Sequence, residues 1–384
     1  MKRKALIIGG SSGIGLSIVE SLMDKSYEKI YIFDKAEPQK EFSNCVEYHK
    51  FSILSDSFSE LDSLVGEIDT LIITAGYGRV APFSSFLEEE LQQNLEVNAI
   101  APLRVIKKFY NDISSKQNFY CAIMGSVAGM ISSPLFSVYG AGKATVCKFI
   151  ESINIELEMA DTSNRILNVS PGAIKGTSFS GGKTKVNTLK ILSDSIVKNM
   201  FEKETLYIPD IDVYGEVIER YKNNPHEFGI DSYNYKIKAN RLNLNPQLKI
   251  GYLSGTFDLF HVGHLNLLKK AKQYCDYLIV GVHQDGSHKG KTTFISFDER
   301  VQILESIRYV DKVIPSQAED KDVWQHYPYD FLFVGSDYKG TERFEKYEEF
   351  FSDKPTEIIY FDYTQGVSSS QLRKVIDTKN TLNE

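Results

Sequence analysis

Residues 255–264 read Gly255-Thr256-Phe257-Asp258-Leu259-Phe260-His261-Val262-Gly263-His264. The apolar run before them, Ile250 to Leu253, has the length and composition of a short buried strand. Leu265-Asn266-Leu267-Leu268-Lys269-Lys270-Ala271 follows with its apolar residues at helical spacing. The stretch is therefore a strand-to-helix turn. His261 and His264 stand three apart across the helix start and share a face. A helix start offers unpaired N–H groups and the positive end of a dipole, which suits a phosphate. The blander reading is two surface histidines beside a cap. Glycine, histidine and the turn together favour an anion site built from Gly255, Thr256, Phe257 and the two imidazoles.

The same alternation extends to the end of the chain. Tyr277 to Val282 reads as a second buried strand, and Lys289-Gly290-Lys291 follows in a loop. A helix then carries Arg300, Ile303, Leu304, Ile307 and Arg308, and Asp330 to Val334 is another strand. Gly366 to Leu372 is a glycine turn opening a helix, with Ser368, Ser369 and Ser370 as a second anion cradle.

A second glycine-rich turn lies near the beginning. Ala5 to Ile8 is a short strand, Gly9-Gly10-Ser11-Ser12-Gly13-Ile14-Gly15 follows, and a helix runs through Leu16, Ile18, Val19 and Leu22. Such a turn lets backbone amides reach a pyrophosphate at a helix start. Asp34, about 20 residues on at the end of Tyr31-Ile32-Phe33, suits the ribose hydroxyls of NAD and repels a 2′-phosphate. Lys35 beside it blurs that preference for NADH over NADPH. Three further strands follow. Leu71 to Ile73 ends in Thr74-Ala75-Gly76, Phe119 to Met124 ends in Gly125-Ser126, and Ile166 to Val169 leads to Pro171-Gly172. Strands alternating with helices imply an α/β fold with doubly wound, Rossmann-like parallel sheets and sites at the strands' carboxyl ends.

The chemistry of the first part is expected at Ser126, Tyr139 and Lys143. Tyr139-Gly140-Ala141-Gly142-Lys143 places phenol and ammonium one helical turn apart, on one face. A nearby ammonium favours phenolate, so the spacing predicts a lowered tyrosine pKa and a usable proton donor near neutral pH. Ser126 is suited to hydrogen-bond a substrate oxygen.

A chain of 384 residues fits two domains. Asn240 to Pro246 is short, polar and without periodicity, which sets the expected bounds at 1–239, a linker at 240–247, and 248–384. The net charge of −7 carries no basic stripe and argues against nucleic acid as a partner. Cys45, Cys121, Cys147 and Cys275 form no C-x-x-C pair, which fits a reduced cytoplasm and gives neither a zinc site nor a disulfide framework. Met1-Lys2-Arg3-Lys4 begins like a signal peptide, but the apolar run stops at Gly9-Gly10, and no run reaches transmembrane length. The expectation is a soluble cytoplasmic protein with no membrane insertion and no metal ligands of its own.

The glycine turn, Asn98, Ser126 and Tyr139-x-x-x-Lys143 fall in the order of the short-chain dehydrogenase/reductase family, which residues 1 to about 230 resemble. The resemblance implies Asn98, Ser126, Tyr139 and Lys143 as the catalytic set. It implies Gly9, Ser11, Ser12, Gly13, Ile14, Gly15, Asp34, Ala75, Gly76, Lys143, Pro171 and Gly172 as holders of NAD(P)H. There are departures. Ile8 stands where the family has Thr, Thr74 where it has Asn, Ser52-Ile53 where an Asp often holds the adenine, and the usual Thr is displaced to Thr177. Gly181-Gly182-Lys183-Thr184-Lys185 lies where the family covers its substrate, as either a phosphate contact or a charged loop.

The last third resembles the cytidylyltransferases of the glycerol-3-phosphate type through His261-x-Gly263-His264. This implies a nucleotidyltransferase domain, His261 and His264 as catalytic groups, and Lys289, Lys291, Arg300, Arg308 and Ser368 to Ser370 as phosphate binders. Mg²⁺ is expected to arrive with CTP. Tyr363 stands where the likeness has Arg, which puts glycerol 3-phosphate itself in question as the acceptor. Together the two resemblances imply a bifunctional enzyme. A ketose phosphate would be reduced to a polyol phosphate, then joined to CMP as a CDP-polyol resembling CDP-ribitol or CDP-glycerol, for teichoic acid or capsule synthesis. Two alternatives stand beside it: CTP activation first with redox on the CDP-sugar, or an active transferase with a non-catalytic nucleotide-binding first module. Both families often pair, so a homodimer is expected.

Overall fold

The computed structural model describes residues 3–38, 40–54, 56–174, 186–239, 241–243, 248–285 and 293–362. The chain divides into two compact units, Met1–Gln247 and Leu248–Glu384.

Unit 1 is built on seven parallel strands: β1 (Lys4–Ile8), β2 (Lys29–Asp34), β3 (Val46–Lys50), β4 (Thr70–Ile73), β5 (Tyr120–Met124), β6 (Ile166–Val169) and β7 (Leu206–Tyr207). Their order is β3-β2-β1-β4-β5-β6-β7. Strand order reverses between β1 and β4, and a crevice opens there at the strands' carboxyl ends. Successive side chains point to opposite faces. Leu6 and Ile8 pack on one side with Val105, Phe109 and Ile150. Ala5 and Ile7 pack on the other with Ile18, Val19 and Ile196. Each such buried aliphatic side chain is worth roughly 1.5–3 kcal/mol. Helices α1 (Gly13–Met23) and α5 (Val186–Phe201) cover the second face, and α3 (Ala101–Ile113) and α4 (Ser137–Met159) the first. A π-helical turn, Glu96–Ile100, joins α2 (Glu88–Leu95) to α3. Two further helices, α6 (Ile211–Asn223) and α7 (Pro225–Lys238), close the unit.

Unit 2 has five parallel strands: β8 (Ile250–Gly255), β9 (Tyr277–Val282), β10 (Lys312–Pro315), β11 (Phe331–Gly335) and β12 (Glu357–Phe361), in the order β10-β9-β8-β11-β12. Order again reverses beside the first strand, so the turn after β8 lies at the switch point. Leu253, Val280 and Val282 face α8 (Val262–Lys272) and α9 (Phe297–Glu305), while Tyr252, Ile279 and Leu332 face α11 (Glu342–Phe351). The short helix α10 (Asp320–His326) precedes β11.

The expected strands are present. The short strands β3, β7, β10 and β12 and the pair α6–α7 add to them. One expectation is corrected. The sequence carries the Arg300 helix on to Arg308, but α9 ends at Glu305, where Ile307 N–H turns back to the Leu304 carbonyl. No described helix is long and apolar enough to cross a membrane. No described group of three or more His, Cys, Asp or Glu side chains is arranged to hold a metal ion.

Candidate active sites

In unit 1 the glycine turn sits at the crevice. Gly9 has φ +92°, and a Cβ there would stand 2.6 Å from the Ala75 nitrogen. A Cβ on Gly15 would stand 2.1 Å from the Gly9 carbonyl oxygen, so α1 starts against bare backbone. Ser12 is the N-cap residue, but its side chain makes no cap hydrogen bond. The Ser11 hydroxyl is buried with no hydrogen-bond partner among the described residues. An orphaned hydroxyl at an uncapped helix start fits a phosphate. Asp34 fastens this turn to the end of β2. Its carboxylate accepts the Ser11 N–H at 3.0 Å and the Ala36 N–H at 3.2 Å.

Two departures from the family pattern are explained together. Ile8 brings no hydroxyl to the end of β1. Thr74, across the crevice on β4's end, supplies one instead. Its Oγ1 donates toward the Gly9 carbonyl at 2.8 Å and the Ile8 carbonyl at 3.3 Å. In this chain the two strand ends are thus linked through Thr74.

Asn98, Ser126, Tyr139 and Lys143 lie close together. Asn98 sits in the π-turn, a helix defect frequent at functional sites. Its amide donates to the Tyr77 carbonyl at 2.7 Å and the Asn94 carbonyl at 3.0 Å. Its Oδ1 is buried with no hydrogen-bond partner among the described residues. A Cβ on Gly76 would lie 2.9 Å from that oxygen and 3.2 Å from Lys143 Nζ, so glycine leaves room where the two converge. Lys143 Nζ donates to the Met124 carbonyl at 2.8 Å. Ser126 Oγ accepts the Ala128 N–H and donates to the Pro171 carbonyl. The Tyr139 ring stacks on Phe136 with centroids 4.4 Å apart.

The electrostatics correct the expectation for Tyr139. Burial pushes its phenol well above the ordinary range, and the Ser126 hydrogen bond opposes this only in part. The ammonium stands 5.6 Å from the ring centroid and gives one of its three donors to Met124. Burial also lowers Lys143 itself, to about 8. Around neutral pH the site therefore holds a neutral phenol beside an ammonium. Pro171 lies beside Ser126, its carbonyl taking the Val127 N–H and the Ser126 hydroxyl, and Gly172 follows it. Tyr214 of α6 lies so close that a Cβ on Gly172 would be 1.8 Å from its ring, and its hydroxyl accepts the Ala173 N–H. Thr177 and Gly181 to Lys185 lie outside the described residues.

In unit 2 the signature turn is held under strain. Phe257 and Leu259 have φ +53° and +50°, which non-glycine residues rarely adopt. Phe257 is buried in the core, so only its backbone can meet a ligand. His261 is the N-cap residue of α8, and its Nδ1 accepts the Gly263 N–H at 3.0 Å. His264 Nδ1 faces the His261 N–H at 3.4 Å, completing a reciprocal capping box. The expectation of free amides beside the histidines is thus corrected at Gly263, whose N–H goes to an imidazole. With Nδ1 accepting, a neutral ring carries its proton on Nε2. Burial lowers the pKa of both rings, His264 to about 4.

Arg300 is also corrected. It is 1% exposed, and four of its five N–H donors go to backbone carbonyls: Ile295, Thr256, His283 and Gln284. It ties the ends of β8 and β9 to the start of α9 and has little left for a phosphate. Arg308 is exposed beyond α9, over the Tyr309 ring. Asp258 was not singled out in the sequence. It is 3% exposed and accepts the N–H groups of Phe294 and Ile295. The signal was there: a carboxylate set among apolar residues is seldom buried unless it has work to do. Lys289, Lys291, Tyr363 and Ser368 to Ser370 lie outside the described residues.

Two parallel α/β units, each with a strand-to-helix turn at its switch point, have the architecture of nucleotide-handling enzymes. The short chain dehydrogenase family model matches residues 3–187, and the cytidylyltransferase-like family model matches residues 252–375. Unit 2 is similar to glycerol-3-phosphate cytidylyltransferase of Bacillus subtilis, 38% identical over 127 residues, covering 32% of this chain and 92% of that protein. The Staphylococcus aureus enzyme of the same name is 35% identical over 130 residues, covering 33% of this chain and 93% of it. Unit 1 has the fold of a short chain dehydrogenase from Burkholderia cenocepacia solved in complex with NADP, at TM-score 0.50 and 20% identity, covering 60% of this chain and 97% of that one. The chain belongs to the cytidylyltransferase-like family, with a short-chain dehydrogenase/reductase domain fused ahead of it.

Proposed function

We propose that unit 1 reduces the keto group of a ketose phosphate and that unit 2 joins the resulting polyol phosphate to CMP, giving a CDP-polyol and pyrophosphate. The observation that carries this reading is one chain holding both a Ser126–Tyr139–Lys143–Asn98 cluster and a pair of Nε2–H imidazoles at a helix start.

In unit 1 the uncapped start of α1, the Ser11 hydroxyl and Asp34 suit a dinucleotide, with NADH preferred. Bound nicotinamide would supply the hydride. Tyr139 gives its phenolic proton to the carbonyl oxygen as that oxygen gains charge, and Ser126 donates to the same atom. The Lys143 ammonium stabilises the phenolate left behind. The orphaned Asn98 Oδ1 beside Lys143 Nζ is suited to hold the water through which the proton returns.

In unit 2 a phosphate oxygen of the polyol phosphate attacks the α-phosphorus of CTP. The new P–O bond forms as the bond to the β-phosphate breaks, and pyrophosphate leaves. The nucleophile is already ionised, so the residues need only place it and stabilise charge. His261 and His264 donate from Nε2 to the phosphoryl oxygens. Mg²⁺ on the triphosphate, a homodimeric assembly and a cytoplasmic setting belong to the same reading. So does a use of the product in teichoic acid or capsule synthesis.

The test supplies ketose phosphates of three to six carbons with NADH, CTP and Mg²⁺. NADH loss matched by pyrophosphate release supports the reading. NADH loss with none of these substrates rejects the reductase half, and pyrophosphate release with none of the matching polyol phosphates rejects the transferase half.

A further inference from the structure

Arg79 is a surface residue type, yet it is 3% exposed and all five of its N–H donors are used. Nε and Nη2 grip Glu90 as a fork at 2.6 and 2.8 Å, with both side chains 1% exposed. Nη1 and Nη2 also reach the hydroxyl and carbonyl of Ser85. The remaining donor goes to the Asn243 carbonyl at 2.9 Å. The guanidinium lies over the Phe86 ring at 4.2 Å. A buried fork with every donor satisfied holds one geometry, because any shift leaves a buried charge unpaired.

The segment it holds is the one against Tyr139. A Cβ on Gly78 would stand 2.8 Å from the Tyr139 ring, so backbone and ring are in direct contact there. Three residues on, Ala81 N–H donates to the Leu135 carbonyl, and the residue after Leu135, Phe136, stacks on Tyr139. Between them Val80 gives its carbonyl to the Asn243 N–H at 2.8 Å. Asn243 belongs to the segment expected to be the short linker. Arg241 N–H likewise returns to the Lys236 carbonyl. So residues 241–243 are hydrogen-bonded into unit 1, beside the loop that touches the phenol.

We propose that Arg79 is a positioning residue for the reductase centre, and that through it residues 241–243 form part of that centre rather than of a tether. Arg79 touches no reacting atom. It acts through Gly78–Ala81 on the Tyr139 ring. The inference rests on the reductase reading of Ser126, Tyr139 and Lys143.

The experiment uses the full chain and two variants. Asn243→Pro removes the N–H given to Val80 and leaves the Arg79–Glu90 fork whole. Arg79→Lys keeps the charge and loses the fork. Backbone amide exchange in peptides spanning 76–86 and 130–136 is expected to quicken by roughly tenfold in both. Reductase kcat is expected to fall by roughly tenfold with little change in KM for NADH, as for a displaced catalytic group. Polyol-phosphate-dependent pyrophosphate release and the melting temperature of Asn243→Pro should match the parent. Parent-like exchange in Asn243→Pro overturns the proposal, and so does faster exchange with parent-like kcat in both variants. A parent enzyme that oxidises no NADH would reject the reductase reading instead, and the exchange data would still judge the latch.

Discussion

The imidazoles of His261 and His264 stack with centroids 4.1 Å apart and planes 25° from parallel, and each presents Nδ1 to a backbone N–H. The capping box does two things at once. It closes the start of α8, and it leaves Nε2 as the protonated nitrogen of each neutral ring. Helix capping and the choice of tautomer are one structural decision here.

The two roles can be separated at His261. Asparagine is among the best N-cap residues, and its side-chain oxygen reaches the position of Nδ1. His261→Asn should therefore keep unit 2 within about 1 kcal/mol of the parent. It has no donor at the Nε2 position, so pyrophosphate release should slow by about 100-fold or more. A fully active His261→Asn would mean the imidazole is only a cap.

The pH dependence follows from the same burial. His264 titrates near 4 in the folded protein, below the value of about 6.5 for an unfolded chain. Between those values the unfolded chain binds a proton that the folded one refuses. This contribution to stability is complete above about pH 6.5 and is lost as pH falls toward 4. Unfolding of unit 2 by urea should report it. The His264 ring should leave transferase kcat level from about pH 8 to about pH 6, because it does not charge there, and burial moves the charging of His261 below its ordinary range. A loss of rate centred near 6.5 would refute neutral donors.

The turns, the strands beside them and the families were legible because each motif is local. Gly9 to Gly15, Tyr139 to Lys143 and Gly255 to His264 each fix their geometry within a few residues. What was not legible depends on partners distant in sequence. Arg300 reads as a phosphate binder until its guanidinium is seen spent on four carbonyls. Thr74 reads as a simple departure until its hydroxyl is found doing what Ile8 cannot. The phenol's pKa was misjudged because spacing gives the nearness of Lys143 but not the burial that outweighs it.

Arg300→Met tests the structural role. Removing the guanidinium takes that donor from the carbonyls of half-buried Ile295, Thr256 and His283 and of exposed Gln284. Orphaned buried groups cost about 1–3 kcal/mol each, and local relaxation recovers part of this. Unit 2 should lose about 3 kcal/mol or more against urea. The Lys form, with one donor group in place of a fork, should recover only part. A variant of parental stability with only a raised KM for CTP would restore the phosphate-binding role.

Thr74 and Ile8 form a natural cycle. Thr74→Val deletes the hydroxyl that holds the Gly9 carbonyl, so the turn loosens and KM for the nicotinamide cofactor should rise about threefold to tenfold. Adding Ile8→Thr to Thr74→Val returns a hydroxyl from the other strand end and should recover most of that loss. Strict additivity of the changes at the two positions would mean they act separately.

Tyr139 and Lys143 give the last prediction. Reduction needs a protonated phenol and a charged lysine. Burial holds the phenol protonated far above neutrality and brings the ammonium to about 8. The kcat/KM for carbonyl reduction reports the free enzyme. It should therefore be level through neutral pH and fall as pH rises through about 8, where Lys143 loses its charge. A phenol lowered by its neighbour would instead ionise near neutrality, and reduction would fade from there while alcohol oxidation gained. The reverse reaction should accordingly be slow at neutral pH. Tyr139→Phe removes the proton donor, and reduction should drop by about 10²–10⁴-fold. Pyrophosphate release from a supplied polyol phosphate should be unchanged in that variant. Release from the ketose phosphate should vanish with the reduction. If it persists at the parental rate, the two centres do not work in series, and unit 1 serves unit 2 in some way other than chemistry.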